Sequence, residues 1–173
     1  SRVDYDKISK LKPAFVQNGT ITAANASKLN DGASVVLIMS YSKAQELGLE
    51  PLAYVVEHVS CAHEPEWFTT APRKAIQRVL RKSKMKHTDI DLWEINEAFS
   101  VVAMAAIDDL KIPPSKVNIH GGAVALGHPI GASGARILTT LIHGMGKTSS
   151  NLGLASLCIG GGEASAIIVK RYD

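Results

Sequence analysis

The stretch that most constrains this chain is GGAVALGHPIGASGAR, residues 121–136, in which five glycines surround a single histidine, His128. Pro129 fixes its own φ and pushes the preceding residue towards an extended conformation, so the backbone sets the direction of the imidazole. The glycines let a ligand or another stretch of backbone approach closely. A helix is predicted to begin near Ala132 and Ser133, where free amide groups favour an anion or an oxyanion. Taken alone, GHPIG fits equally well a histidine that is merely satisfied in a turn.

Outward from this stretch, segments typical of strands and helices alternate along the chain. The predicted strands are 33–40, 51–59, 91–95, 116–120, 152–158 and 163–171. The predicted helices are 42–49, 71–85, 97–110 and 131–145, and the third is apolar on nearly every face, as expected of a helix buried among other elements. The first 30 residues carry turn-forming sequences. Strands alternating with helices, closed by an antiparallel pair, predict an α/β layered sheet.

The composition is that of a globular protein and excludes several classes of function. Of 173 residues, 46% are hydrophobic and 20% charged, and the net charge is only +3, which does not argue for nucleic-acid binding. The basic segment 73–87 is interpreted as a helix with a solvated face. No apolar run approaches the roughly 20 residues needed to cross a bilayer. Two widely separated cysteines form no disulfide framework, so a reducing compartment is expected.

Cys158 ends an apolar segment in SLCIGGGEAS and runs directly into three glycines. Such backbone can present the thiol and free amide groups to a substrate carbonyl, as in an oxyanion hole. A cysteine at the end of a strand can also be simply a small core residue. The other cysteine, Cys61, lies in the polar sequence SCAHEPEW and is interpreted as structural.

Two further motifs have residue types found in binding sites. EINEAFS, residues 94–100, places Asn96 and Glu97 where a strand meets a helix, a common position for binding groups in α/β sheets. Taken alone, a helix N-cap is the better interpretation of Asn96, with Phe99 simply in the core. GMGKTSS, residues 144–150, is not a phosphate-binding P-loop, because Leu141 stands where that motif needs glycine.

Asn-Glu-Ala-Phe, Gly-His-Pro-Ile-Gly and Cys-Ile-Gly-Gly-Gly, in this order and spacing, resemble the C-terminal half of a thiolase. The resemblance covers almost the whole chain, including GTITAANASKLNDGAS, and is strongest to acetoacetyl-CoA thiolases, the acetyl-CoA C-acetyltransferases. It implies a thiolase-like layered α/β fold, a mixed sheet with helices on both faces, as one of two similar halves. Residues 1–20 would be the tail of a loop domain or a connecting arm, and 21–173 the thiolase C-terminal domain.

The resemblance also implies a role for each matching residue. His128 would activate a nucleophilic cysteine and help to bind a thioester oxygen. Cys158 would be the general acid/base, with a pKa moderately depressed from about 8.5. Asn96 would hold a water in one oxyanion hole, and the Gly160 amide would contribute to the second. The residues that would line the substrate and coenzyme A site are Ser27, Phe68 and Phe99.

Acetyl-CoA, acetoacetyl-CoA and coenzyme A are the ligands implied, with no cofactor required. Potassium is a further expectation, bound through backbone carbonyls of Ala23, Ala24, Ala26 and Val124. Thiolases that accept 2-methyl-branched substrates carry Phe-Pro where this chain has Phe68-Thr69, which argues against branched substrates. A homodimer or homotetramer is expected in the cytoplasm, or in a mitochondrion if a transit peptide lies in the missing part, with neither nucleic acid nor membrane as a partner.

The family's nucleophilic cysteine lies in the N-terminal half, in a motif that this chain lacks. We therefore expect the 173-residue chain to be inactive without a matching N-terminal half. Two alternatives remain open: a 3-ketoacyl-CoA thiolase of fatty-acid degradation, and a non-catalytic thiolase-like module that binds acyl-CoA. Retention of Asn96, His128 and Cys158 together argues against the module, because binding alone requires no base.

Overall fold

A computed structural model describes residues 3–172. Its helices are α1 (Tyr5–Ile8), α2 (Tyr41–Glu46), α3 (Ala71–Ser83), α4 (Ser100–Leu110), α5 (Ala123–Leu126) and α6 (Ser133–Thr148). Its strands are β1 (Ala53–Ala62), β2 (Leu92–Ile95), β3 (Leu152–Ile159) and β4 (Glu163–Arg171). Short 3-10 helices cover Pro65–Thr70, His87–Asp89 and Pro114–Lys116. The predicted alternation of strands and helices is confirmed from β1 onward, with one exception given below.

The four strands form one mixed sheet in the order β1-β4-β3-β2. β2 and β3 are parallel, whereas β4 is antiparallel to both β3 and β1, so the predicted antiparallel pair at the end of the chain is confirmed. Parallel strands end at the same edge of a sheet, where α/β proteins commonly place their sites. Asn96 follows β2 at this edge, and its N–H donates to the carbonyl of Ser156 in β3 at 2.9 Å. Cys158 lies two residues further along β3.

One face of the sheet is covered by α3 and α4. α3 has Pro72 in its first turn, where a missing N–H costs nothing, and Lys84 ends it in the left-handed region at φ 59°. Ala75, Ile76 and Val79 recur at helical spacing and are fully buried in the larger apolar cluster, which also contains Trp93 of β2. The basic residues of the helix lie on its other side, so the interpretation of a solvated basic face fits the structure.

The opposite face is covered by α6. Ile137, Leu141 and Met145 are buried against Leu92, Ala155 and Val169 of the sheet. A Cβ on Gly153 would lie 2.5 Å from Met145 Sδ, so glycine is what allows α6 to approach β3 this closely. Helices on both faces of a mixed sheet are therefore confirmed.

The segment of residues 33–40, here called the apolar arm, is not the strand that its sequence predicts. It has no regular secondary structure, and Val35, Leu37 and Ile38 are 91%, 78% and 73% exposed. A strand requires a hydrogen-bonding neighbour, and no strand between residues 3 and 172 pairs with this segment. The prediction was wrong for this chain because an apolar β-rich sequence does not specify where its partner lies.

Two further predictions were wrong in detail. Residues 116–120 form a single parallel bridge between Val117 and Trp93 rather than a strand, since Asn118 turns the chain at φ 49°. α4 is not buried on all sides: Val101 and Met104 are 41% and 62% exposed. Among the described residues, α3 and the 3-10 helix Pro65–Thr70 contact α4, and they leave this part of its apolar surface uncovered.

Candidate active site

The backbone of His128 is held by the loop at residues 28–30. Its N–H donates to the carbonyl of Lys28 at 2.8 Å, and a parallel bridge joins it to Leu29. Gly127 precedes it at φ +99°, and a Cβ there would lie 2.2 Å from Asn30 Oδ1. The close approach predicted from the glycines is therefore real, but at Gly127 the group that approaches is a protein side chain. At Gly131, by contrast, nothing lies within 4 Å of a Cβ position.

The imidazole is oriented by Ser133, the first residue of α6. His128 Nδ1 lies 2.6 Å from Ser133 Oγ, and that hydroxyl donates its proton to the Pro129 carbonyl at 3.1 Å. With its one proton committed, the Ser133 oxygen accepts from Nδ1–H. This network assigns the proton of the neutral ring to Nδ1 and leaves a lone pair on Nε2. Nε2 lies 3.4 Å from Asn96 Nδ2, at the long end of the hydrogen-bond range.

The environment of the imidazole favours this neutral form. Burial lowers the pKa of His128, and the positive charge of Arg136 lowers the pKa further. Because the pKa of His128 lies below its ordinary value of about 6.5, the ring is neutral at neutral pH and can accept a proton at Nε2. The site therefore holds a histidine suited to general-base chemistry.

Asn96 is not a helix N-cap, so the interpretation that the isolated motif favoured was wrong. α4 begins at Ser100 and its N-cap position is Phe99. Asn96 is fully buried at the end of β2, and its Oδ1 accepts no hydrogen bond from the described residues. Buried amide oxygens are normally hydrogen-bonded, which makes this atom a candidate acceptor for a donor on a ligand or water.

Behind Asn96, a polar network joins the strand end to the loop before His128. Glu97 accepts from the Val124 N–H at 3.1 Å and from Asn118 Nδ2 at 3.4 Å. Asn118 also bonds both the N–H and the carbonyl of Ile95, each at 2.9 Å. A Cβ on Gly122 would lie 2.1 Å from Glu97 Cδ, so this glycine makes room for the carboxylate. The network couples the position of Asn96 to that of the glycine-rich loop.

A buried ion pair lies beneath the same edge. Arg136 Nη1 of α6 lies 3.5 Å from Glu94 Oε2 of β2, and Glu94 is 1% exposed. Burial raises the pKa of Glu94 to about 7, although the charge of Arg136 opposes the rise. The pair joins the strand that leads to Asn96 with the helix that carries Ser133.

Cys158 lies at the same edge, opposite Ala164 in the β3–β4 ladder and 9% exposed. Burial raises the pKa of its thiol, so the expected depression was wrong. The apolar cluster around the sulfur favours the neutral thiol over the thiolate. Gly160, two residues on, is exposed, and no heavy atom lies within 4 Å of a Cβ position there. The strand end thus carries a protonated thiol next to accessible backbone.

The predicted ligand-contacting residues border this edge. Phe99 and Phe68 are partly buried and pack edge-to-face, with ring centroids 6.2 Å apart. Ser27 is half-buried, and its N–H donates to the Ala98 carbonyl at 3.1 Å. Cys61 lies in β1 and packs against the larger cluster, in keeping with a structural role.

Two of the four backbone carbonyls predicted to bind potassium already accept hydrogen bonds within the chain. Lys28 Nζ donates to the carbonyls of Ala23 at 2.6 Å and Ala26 at 2.9 Å. Residues 22–26 form a tight turn in which Asn25 Oδ1 accepts from the Thr22 N–H at 2.8 Å. Potassium itself stays a prediction of the resemblance.

Several residues that build this site are not predicted by the sequence motifs, namely Lys28 through its carbonyl, Glu94, Asn118, Ser133 as a partner of the imidazole, and Arg136. Only Ser133 carried a usable signal, because a hydroxyl in the first turn of a helix five residues after a histidine can point back to it. Within residues 3–172, no group of three or more His, Cys, Asp or Glu side chains is placed to hold a metal ion. No helix in that range has the length and apolar character needed to cross a membrane.

Comparisons with known proteins show relatives that are similar to nearly the whole chain. A probable acetyl-CoA acyltransferase of Staphylococcus aureus is 50% identical over 170 residues, which are 98% of this chain and 43% of that protein. Among solved structures, an acetyl-CoA acetyltransferase of Bacillus anthracis is 42% identical with a TM-score of 0.96, over 99% of this chain and 44% of that one. The Acat5 thiolase of Ascaris suum, solved in complex with coenzyme A, is 47% identical with a TM-score of 0.90, over 99% and 45%.

The chain therefore spans less than half the length of these relatives. Sequence models of two domains match it: the thiolase N-terminal domain over residues 1–42 and the thiolase C-terminal domain over residues 49–171. The apolar arm thus lies within the part matched by the N-terminal domain, and the sheet within the part matched by the C-terminal domain. The chain belongs to the thiolase family.

Proposed function

We propose that this chain is part of an acetyl-CoA C-acetyltransferase, which cleaves acetoacetyl-CoA with coenzyme A and catalyses the reverse condensation of two acetyl-CoA. The observation that carries the proposal is the geometry of His128, whose Nδ1 is fixed by Ser133 and whose Nε2 faces Asn96. The same sheet edge carries Cys158. A base, an amide and a thiol at one edge suit a reaction that moves protons beside a thioester carbonyl.

In the first half of thiolysis, a cysteine from an N-terminal half loses its proton to His128 Nε2 and attacks the 3-oxo carbon. When the bond between C2 and C3 breaks, the acyl group stays on that cysteine as a thioester. The electron pair moves onto C2, forming the enolate of acetyl-CoA, which takes a proton from Cys158. The raised pKa of Cys158 keeps this proton in place until the carbanion develops.

In the second half, the thiolate of Cys158 removes the proton from coenzyme A, and the resulting thiolate attacks the acyl-enzyme. The nucleophilic cysteine leaves and recovers its proton from His128, so both bases return to their starting states. Negative oxygen develops in each half. Protonated His128 Nε2 and a water held by Asn96 would stabilise it in one half, and the Gly160 amide in the other.

An N-terminal half is needed to complete this site. The nucleophile that the resemblance implies is absent from the chain, and large apolar side chains are exposed beside His128. Leu29 and Ile130, which flank a shallow depression beside His128, are 82% and 68% exposed, and the apolar arm is equally exposed. Large apolar side chains exposed to this extent support the proposal that a partner half covers them.

Acetoacetyl-CoA is preferred as the substrate because the sequence resemblance is strongest to acetoacetyl-CoA thiolases, and the similar Bacillus anthracis protein is named an acetyl-CoA acetyltransferase. A human mitochondrial 3-ketoacyl-CoA thiolase, 34% identical with a TM-score of 0.92, supports the alternative. Coenzyme A was bound in the Ascaris suum thiolase, and we propose that here it lies against Ser27, with the acyl group near Phe68 and Phe99. Dimeric or tetrameric assembly, and a cytoplasmic or mitochondrial location, stay predictions supported by the resemblance alone.

The test uses the complete polypeptide, with its N-terminal half, and follows coenzyme-A-dependent loss of acetoacetyl-CoA. His128→Ala and Cys158→Ala are expected to lower kcat by about 10²–10⁴. Cys61→Ala is the matched control, because Cys61 is the other free cysteine and lies outside the site. Near-normal turnover in either site variant would refute its assigned role.

A second measurement separates the two roles. In D₂O, acetyl-CoA should exchange the protons of its methyl group through Cys158, and Cys158→Ala should lose this exchange. Competition among acyl-CoA chain lengths distinguishes the runner-up, since a 3-ketoacyl-CoA thiolase would prefer longer chains. Tight coenzyme A binding by calorimetry with no thiolysis would instead favour a non-catalytic module.

A further inference from the structure

The loop of residues 22–30 connects the two sides of the site. Its Asn25 carbonyl accepts from the Ser100 N–H at 2.8 Å, at the start of α4, and its Lys28 carbonyl accepts from the His128 N–H at 2.8 Å. Between these two anchors lies Ser27. A shift of this loop would therefore move the His128 backbone and the proposed coenzyme A contact together.

Within the loop, two carbonyl oxygens converge on one ammonium group. Ala23 O and Ala26 O lie 2.6 Å and 2.9 Å from Lys28 Nζ. Carbonyl dipoles that point at one position repel each other unless a cation lies between them, and hydrogen bonds from a charged donor are stronger than neutral ones. The side chain of Lys28 thus closes the loop on itself while its main chain holds His128.

These two carbonyls belong to the set through which the resemblance implies potassium. An ammonium group and a potassium ion both bind carbonyl oxygens, and the like charges repel when they share ligands. The carbonyls of Ala23 and Ala26 therefore do not fit a potassium ion as long as Lys28 Nζ occupies them.

We propose that Lys28 is a positioning residue whose side chain supplies, from within the loop, the positive charge that a bound potassium ion would supply, so that the enzyme is independent of potassium. The proposal rests on the proposed thiolase activity only for its kinetic consequence. The placement of the cation is a property of the folded loop and can be tested without substrate.

The first measurement is thermal unfolding of the complete protein, without substrate, in KCl and in choline chloride at equal ionic strength. The wild type is expected to unfold at the same temperature in both salts. Lys28→Met keeps the apolar stem and removes the charge, and it should gain about 2–4 °C in KCl over choline chloride. Lys43→Met, which removes an exposed lysine of α2, is the matched control and should show no such difference.

The second measurement is the KM for coenzyme A. In choline chloride, Lys28→Met should raise it about fivefold, which corresponds to about 1 kcal/mol, and KCl should restore it. kcat should change little, because the Lys28 carbonyl that holds His128 is a main-chain group and every variant keeps it.

Potassium-specific stabilisation of the wild type overturns the proposal, whether or not Lys28→Met folds. A Lys28→Met protein that matches Lys43→Met in both salts also overturns it, as does a deficit that KCl fails to repair. Because the unfolding experiment needs no turnover, failure of the thiolase assignment would leave its result interpretable.

Discussion

Two regions of the molecule differ in how many of their contacts come from this chain: the sheet edge that carries Asn96, Cys158 and His128, here called the polar edge, and the apolar arm of residues 33–40. At the polar edge, Ser133, Asn96 and the Lys28 carbonyl each contact His128, and the amide of Asn96 is fully buried. In the apolar arm, Val35 is 91% exposed, and no strand within residues 3–172 pairs with the arm. The proposed proton-transfer groups are thus held by contacts within this chain, whereas under the proposed function the apolar arm would be covered by an N-terminal half.

The largest expected effect is seen when the chain is assayed by itself, without an N-terminal half. We expect no detectable coenzyme-A-dependent cleavage of acetoacetyl-CoA, because positioned proton-transfer groups cannot replace the missing nucleophile. Adding the N-terminal half, or expressing both halves as one polypeptide, should restore activity. Turnover by the purified 173-residue chain would show that it contains its own nucleophile.

The second prediction concerns the apolar arm in the complete protein. Leu37→Asp should lower the free energy of unfolding by about 2–4 kcal/mol, because an N-terminal half would bury the new carboxylate without a partner. Leu52→Asp is the control, since Leu52 is also well exposed, at 64% against 78% for Leu37. Urea unfolding measures both. Equal, small effects would mean that the arm stays solvated in the complete protein.

The third prediction tests the orientation of the imidazole. Ser133→Ala should lower kcat about tenfold to a hundredfold, because Nδ1 loses the acceptor that fixes the tautomer. Thr140→Ala removes another hydroxyl from α6, one that donates to the Arg136 carbonyl, and should leave kcat nearly unchanged. The pH profile of kcat checks the cause: a changed His128 environment shifts the profile, whereas a general loss of stability leaves its shape unchanged. Identical behaviour of both variants would remove Ser133 from the mechanism.

The smallest expected effect is a pH dependence of the free energy of unfolding, caused by the buried pair of Glu94 and Arg136. Burial raises the pKa of Glu94 from 4.5 to about 7, so the folded state binds this proton more tightly than the unfolded state. The contribution of the protonated Glu94 to the free energy of unfolding is therefore fully present below about pH 4.5 and is lost as the pH rises through 7. Glu94→Gln does not titrate, so its stability relative to the wild type should increase by about 1–2 kcal/mol across this range.

Chemical unfolding of the complete protein at pH 5 and pH 7.5 measures this difference. Glu46→Gln, on the exposed side of α2, is the control and should show no comparable trend. A difference between Glu94→Gln and wild type that does not vary with pH would mean that Glu94 is already ionised in the folded protein at pH 5.

Sequence and structure agree best where patterns are local. The spacing of apolar residues in α3 and α6, the proline in the first turn of α3 and the strand segments of β3 and β4 were all readable, because helix and strand periodicity is a property of a few neighbouring residues. His128 and Cys158 stood out for the same reason, since glycine and proline beside them constrain the backbone directly.

The tertiary structure decided what depends on distant partners. It placed Asn96 at the end of β2 instead of at a helix cap, held the His128 N–H on the carbonyl of Lys28, and surrounded Cys158 with apolar groups that raise the pKa of its thiol. It also left the apolar arm unpaired. The sequence by itself determined the main helices, the strands β1 to β4, the family resemblance and the candidate residues. Pairing, burial and charge are set largely by residues far apart in the chain, so only the fold determined which apolar segments pair and how exposed and protonated the candidate residues are.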